Sequence, residues 1–325
     1  MASTRPIFVV GCPRSGTTMF TMMLHAHSRI AMPPETRFLL RVYRRQLAFG
    51  DLTVPENRAK LADAIVRGKG TKFRDLGLDR RQVRRAIVDG PPTVGSAVGT
   101  VFRLYADRFG KQRWGDKRPI YYQSIPAIRR MFPDAQFVHL VRDGRDCAAS
   151  LLRVPWHEKG AIAAIALWTE AIAYGRRAAR RLPSDTWYEL QYEHLVANPR
   201  AELEKLCDFL DEDFEEGMLE PHKVADQAVP GRKSWHANTR AEISTRSVGS
   251  YADVLSPDEV RLFEYVAKDE LRQFGYDVPD DPPRPPAGLL ARYVGRSVVR
   301  RGRIRALGLY DRLVALRSGP AEDRG

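Results

Sequence analysis

The sequence predicts an α/β domain with a three-layer architecture, helices packed on both sides of a central parallel sheet, from one repeated pattern. An apolar run at residues 7–10 enters a glycine-bounded turn and then a helical stretch from Thr17 rich in Met and Leu. The succession recurs at 136–141, where a second apolar run meets the turn Arg142-Asp143-Gly144 and a helical segment around 148–152. A third run at 186–190 leads to another helix. Short apolar runs alternating with helices are the signature of parallel strands joined by crossovers, and ligands of such sheets gather at the strands' carboxyl ends.

The later elements are marked by capping chemistry. Asn198-Pro199 has an N-cap residue followed by a proline preset for the first helical turn. Ser256-Pro257-Asp258-Glu259 is a capping box, and Gly275 is placed to stop the helix that it opens. The four prolines within 280–286 predict a linker, dividing the chain into a domain at 1–279 and a basic amphipathic helical tail at 287–325.

Composition excludes several classes. With 43% apolar and 29% charged residues, the 325-residue chain is globular rather than disordered or fibrous. Its longest apolar stretch, residues 161–168, is far short of the roughly 20 residues that span a bilayer. Three cysteines without a C-x-x-C pair, and an amino-terminal stretch without a secretory signature, lead to the expectation of a reducing cytoplasm. The net charge of +13 is concentrated toward the end: from residue 283 onward ten arginines face three acidic residues, a net +7. The rest is basic enough to favour an anionic ligand, which alone is no argument for nucleic acid.

The first turn carries chemistry. Gly11-Cys12-Pro13-Arg14-Ser15-Gly16-Thr17-Thr18 has the spacing of a phosphate-binding loop, but Thr17 stands where the lysine of a nucleoside-triphosphate loop belongs. Backbone N–H groups and a helix N-terminus can still cradle a phosphate, while the side chain that reaches the β and γ phosphates is missing. Arg14 moves the positive charge inside the loop.

The string PRSGTT, followed by HAHSRIAMPPETRFL, resembles the start of the sulfotransferases that use 3′-phosphoadenosine-5′-phosphosulfate (PAPS), and in particular their tyrosylprotein branch. The resemblance continues through GDKRP at 115–119, VRDGRDCAAS at 141–150, ALWTEAI at 166–172, YEHLVANPRAEL at 192–203 and TRSVGSY at 245–251, covering roughly residues 5–278. It implies a P-loop-like sulfotransferase fold and transfer of a sulfuryl group to a hydroxyl or amine without a metal. It also implies that Arg14, Ser15, Gly16, Thr17 and Thr18 hold the 5′-phosphosulfate.

Read without the family, Arg142 ends a strand and Ser150 lies on the following helix, so the two can converge on one anion; Arg142 could equally pair with Asp143 or Asp146. The resemblance implies that Arg142 and Ser150 bind the donor's 3′-phosphate. It also assigns donor contacts to Tyr192 and to Arg246, Ser247, Val248 and Gly249, though Ser250 replaces a basic residue and Arg153 is shifted by one position from a family arginine. Trp168 matches the family pattern but sits among Ile165, Ile172 and alanines, as a core aromatic would.

Sulfuryl transfer requires an acceptor made more nucleophilic and negative charge stabilised on the oxygen bridging phosphate and sulfur. By the resemblance Glu35 is the general base, and Lys117 with Arg14 forms the electrostatic clamp on the leaving phosphate. The competing readings are a first-turn helix glutamate and a solvated loop lysine. A second family role is left between Ser234 and Thr239, and His236 is an alternative base. His25 and His27 have no metal-ligand spacing.

Two other functions compete: a P-loop kinase or hydrolase using ATP and magnesium, with Asp143 as metal ligand, and a non-enzymatic basic binding protein. The acceptor, whether small molecule, glycolipid or peptide, depends on residues between Thr36 and Lys117, where no motif is legible. In the tail, Leu290, Val294 and Val298 recur at helical spacing, as do Leu309, Leu313 and Leu316, with arginines between. That pattern suits a peripheral membrane contact, a second subunit, or packing on the domain, and Gly295, Gly302 and Gly308 are expected to interrupt any long helix.

Overall fold

The computed structural model describes residues 3–155, 157, 159–224 and 243–318. Five strands, β1 (Ile7–Gly11), β2 (Ile30–Ala31), β3 (Arg113–Lys117), β4 (Gln136–Val141) and β5 (Trp187–Gln191), form one sheet in the order β2-β3-β1-β4-β5. Every pairing is parallel. The order places β1 between β3 and β4, so the chain leaves β1 at the point where neighbours diverge to either side, the position at which open α/β sheets bind ligands.

The first helices are α1 (Thr17–Ala26), α2 (Leu39–Arg44), α3 (Pro55–Val66), α4 (Arg80–Asp89), α5 (Val94–Asp107) and α6 (Ile125–Met131). They are followed by α7 (Gly144–Leu152), α8 (Gly160–Ala179), α9 (Tyr192–Ala197), α10 (Pro199–Leu210), α11 (Pro257–Gln273) and α12 (Ala287–Arg317). Alternation along the strands divides the core in two. Ile7 and Val9 of β1 join Val138 and Leu140 under α1, α9 and α10, whereas Phe8 and Val10 face a larger core with Phe137 and residues of α2 to α8. Both faces of β1, β3 and β4 are buried, as expected of central parallel strands.

The three strands read from hydrophobicity are present, and Trp168 is fully buried against Phe263. The Ser256 capping box forms with both of its reciprocal bonds, while Asn198 occupies its N-cap position without a side-chain capping bond. β3 is the element that hydrophobicity does not reveal. Its sequence, RWGDK, is rich in charge, and it is a buried strand because its polar groups find partners: Arg113 donates to the Arg5 carbonyl (2.7 Å), the Leu210 carbonyl (2.5 Å) and Glu212 (3.1 Å).

The tail corrects one expectation. The glycines at 295, 302 and 308 do not interrupt it, and α12 runs 31 residues without a break. A helical glycine costs only about 1 kcal/mol relative to alanine. Tertiary contacts offset that: Ile304 and Val314 are buried, Arg44 forms an ion pair with Asp311 (2.7 Å), and Arg300 reaches the buried Glu170 (3.1 Å).

Candidate active site at the carboxyl ends of the strands

The loop at 11–16 carries the chain from β1 into α1 and depends on its two glycines. A Cβ on Gly11 would lie 2.4 Å from the Leu140 carbonyl oxygen, and one on Gly16 (φ +92°) would lie 2.5 Å from the Tyr192 ring. Arg14 also has a positive φ of 76°, a conformation that costs a residue with a side chain about 1–3 kcal/mol and is concentrated at functional sites. The turn is closed by Ser15 N–H donating to the Cys12 carbonyl (3.1 Å), and the first N–H groups of α1 emerge beside it without intrahelical acceptors. The Ser15 hydroxyl is buried with no protein partner, as is Nε of Arg142. Such orphaned donors around a loop with a helix N-terminus fit an anionic ligand.

Arg142, directly after β4, is the hub. It donates to the Arg14 carbonyl (3.2 Å) and to the Ser247 carbonyl, and its guanidinium lies over the Tyr192 ring at 4.7 Å. The Tyr192 hydroxyl in turn bonds that of Ser247 (2.8 Å). Arg14 Nε donates to Ser150 Oγ (3.0 Å), so the loop arginine bridges to α7, and Arg142 reaches this cluster through the Arg14 backbone. Burial first, and then the Arg142 charge, push the Arg14 pKa below the ordinary arginine value. Two like charges held this close are poised for an anion.

Asp146 also serves structure here. It meets Arg142 at 3.5 Å and accepts from the backbone N–H groups of Gly249 and Tyr251, both at 2.9 Å, which docks the 245–251 segment on α7. Within that segment Ser247 faces the cluster, while Arg246 and Val248 are exposed and Gly249 contributes its backbone. Asp143 is paired with Arg145 (2.8 Å) and caps α7, engagements that occupy the carboxylate a magnesium-dependent reading requires. Arg153 is exposed at the end of α7.

The second group gathers around Glu35. This residue precedes α2 by four positions, in the loop after β2, and is therefore not a first-turn helix residue. Lys117, the last residue of β3, lies 3.7 Å from one carboxylate oxygen, and Lys72 lies 3.7 Å from the other. Lys117 is almost wholly buried at a strand end in register with Val9, so the solvated-loop reading is wrong for it. Arg37 N–H donates to the Thr71 carbonyl (3.0 Å), tying the Glu35 loop to the turn that carries Lys72. Asp116 is completely buried, accepting from the Tyr121 hydroxyl (2.7 Å) and the Lys117 N–H (2.9 Å). Burial above all, reinforced by the Glu35 charge, raises its pKa to about 7 against the opposing hydrogen bonds.

The profile of the Sulfotransferase family matches residues 6–216, well over half of the chain. The chain belongs to the sulfotransferase family. Among curated relatives, a putative protein-tyrosine sulfotransferase of Caenorhabditis briggsae is 23% identical over 286 residues, covering 85% of this chain and 91% of that one. Protein-tyrosine sulfotransferase A of Caenorhabditis elegans is 23% identical over 288 residues, covering 85% and 68%. Solved structures with the same fold include the sulfotransferase domain of the curacin biosynthetic pathway (TM-score 0.58, 20% identity, covering 86% of this chain and 100% of that domain). The sulfotransferase domain of the Synechococcus PCC 7002 olefin synthase is similarly related (TM-score 0.56, 24% identity, 85% and 98%).

In this sulfotransferase the residues read from the sequence form two groups at neighbouring strand ends. Arg14, Ser15, Gly16, Arg142, Ser150, Tyr192 and Ser247 surround the loop, while Glu35 and Lys117 are paired beyond β3. Ser234, His236 and Thr239 lie outside the described residues. His25 and His27 are structural: His25 accepts from the Met32 N–H (3.0 Å) and His27 bonds the Asp213 carbonyl (2.9 Å). Three participants escaped sequence reading. Asp116 was within reach as the neighbour of Lys117, and Asp146 was read only as a partner for Arg142. Lys72 has no local signal, because its approach to Glu35 is made by tertiary packing.

Proposed function

We propose that this sulfotransferase takes its sulfuryl group from PAPS and transfers it by in-line displacement to a hydroxyl or amine of a small-molecule, glycolipid or peptide acceptor. The reading rests chiefly on one observation, the linked pair of anion-ready positions formed by the 11–16 loop and the Arg14–Ser150–Arg142 cluster. A donor with phosphates on both the 5′ and the 3′ side of one nucleoside needs two such positions; ATP needs one. On this reading Arg14, Ser15, Gly16, Thr17 and Thr18 hold the 5′-phosphosulfate through the loop backbone, the hydroxyls and the Arg14 charge. Arg142 and Ser150 hold the 3′-phosphate, and Tyr192 with the 246–249 segment borders the nucleoside.

Glu35 takes the proton from the acceptor, and Lys117 stabilises charge on the oxygen that departs with the phosphate. Their 3.7 Å pairing supports these roles by bringing base and cation together at the end of one strand. Relatives named as protein-tyrosine sulfotransferases make a phenolic hydroxyl one reasonable acceptor. Titration calorimetry with 3′,5′-adenosine bisphosphate in the absence of magnesium, against ATP with magnesium, tests the donor. The bisphosphate is expected to bind and Arg14→Ala to abolish that binding with the fold intact. Preference for ATP with magnesium, or unchanged affinity in the variant, overturns the assignment.

A further inference from the structure

Eleven large hydrophobic side chains among the described residues are conspicuously exposed, and seven of them lie on α12: Val294, Val298, Val299, Leu309, Tyr310, Leu313 and Leu316. The helix packs on the body through another side, where Ser297, Ile304, Asp311 and Val314 are buried. Val294, Val298, Leu309, Leu313 and Leu316 are separated by intervals close to whole numbers of helical turns, so they form one outward stripe. On a helical projection, Arg301, Arg305 and Arg312 border that stripe along one edge and Arg292, Arg303 and Arg317 along the other; all six are exposed.

The charges on this helix are one-sided. Its only acid, Asp311, is turned inward to Arg44, and Arg300 is turned inward to Glu170. The outward face is thus apolar at its centre and cationic at both margins. The same edge continues into a cavity of about 440 Å³ that Arg305, Arg312, Arg130, Arg177 and Arg181 help to line, with Asp311 the one acid among its walls. Two copies joined through the stripe would bring arginines against arginines with no carboxylate to meet them, which disfavours self-association. An anionic bilayer satisfies both components, burying the aliphatic side chains at the acyl boundary while the arginines meet lipid phosphates.

We propose that α12 is an in-plane membrane-docking helix that seats the protein on anionic lipid surfaces. No described helix is long and apolar enough to cross a membrane, so the attachment would be peripheral and reversible. Sedimentation of the full chain with phosphatidylglycerol-containing vesicles at low salt, against pure phosphatidylcholine vesicles, tests it. Binding is expected to the anionic vesicles alone. Partitioning should fall at least about tenfold in Leu309→Asp/Leu313→Asp and in Arg305→Glu/Arg312→Glu, each with an unchanged melting temperature because all four side chains are exposed. Equal binding to both vesicle types, or full binding by the Leu309→Asp/Leu313→Asp variant, overturns the proposal. So does a dimer in sedimentation equilibrium that this variant dissociates, which would make the stripe a contact between copies of the chain.

Discussion

At the scale of single residues, the chemistry concentrates on side chains whose surroundings oppose their ordinary solvation. Glu35 stands between two lysine ammonium groups, each 3.7 Å from one of its carboxylate oxygens. Glu35→Gln is expected to lower turnover at least about a hundredfold while leaving donor affinity nearly unchanged, since a base acts on the acceptor. Steady-state kinetics alongside calorimetry separates the two, and near-normal turnover would assign the base elsewhere. Asp116 makes a pH-dependent prediction. With its folded pKa near 7 and an unfolded value near 4, the fold retains its proton over that window while the unfolded chain releases it. The stabilising contribution is therefore complete below the ordinary carboxyl range and is lost as pH rises through about 7. Urea unfolding of the wild type and Asp116→Asn should diverge between pH 7 and 4, the wild type gaining at most about 1.4 kcal/mol per pH unit. A pH-independent difference would mean that Asp116 is ionised throughout.

At the scale of elements, the site is a set of strand ends and the turns that leave them. β1 delivers the loop, β3 delivers Lys117, β4 delivers Arg142, and β5 runs directly into α9 at Tyr192. The loop tolerates no Cβ at Gly16, where positive φ and the Tyr192 ring act together. Gly110 has a positive φ as well but open space around it. Gly16→Ala should accordingly destabilise by about 1–3 kcal/mol from backbone strain plus the displacement of Tyr192, and Gly110→Ala by the strain alone. Denaturant midpoints measure the contrast. Only Gly16→Ala should also weaken bisphosphate binding, because Tyr192 is joined to Arg142 and Ser247.

At the scale of the whole molecule, α12 holds its place by ion pairs and a few buried aliphatic groups, remote in the chain from every donor-site residue. Deleting residues 283–325 should leave donor affinity intact. It should also lower the melting temperature, because it exposes the surface that covered Ile304 and Val314, each worth roughly 1.5–3 kcal/mol when fully buried, and removes the Arg300 partner of Glu170. Scanning calorimetry and titration on the truncated chain measure both. Loss of donor affinity would mean that the helix helps to shape the active site.

Local sequence by itself determined the parts that obey local rules. The apolar run at 7–10 and the largely apolar stretch at 136–141, each short and closed by a turn, read as buried strands, and the spacing of Gly11 and Gly16 around Arg14 marks a turn that presents backbone N–H groups. The Ser256 capping box is likewise complete within four residues. Tertiary structure alone decided what depends on distant partners. Arg113 and Lys117 belong to a buried strand because groups far along the chain, Glu212 and Glu35, satisfy them, and Asp116 because the fold turns the Tyr121 hydroxyl back onto it; in isolation their charges favour solvent. Three helical glycines, unfavourable one by one, are carried by a long helix that packs against a body formed earlier in the chain. The meeting of Lys72 with Glu35, and of Arg14 with Ser150, likewise came from packing, since no sequence period connects residues on separate layers that converge at the edge of one sheet.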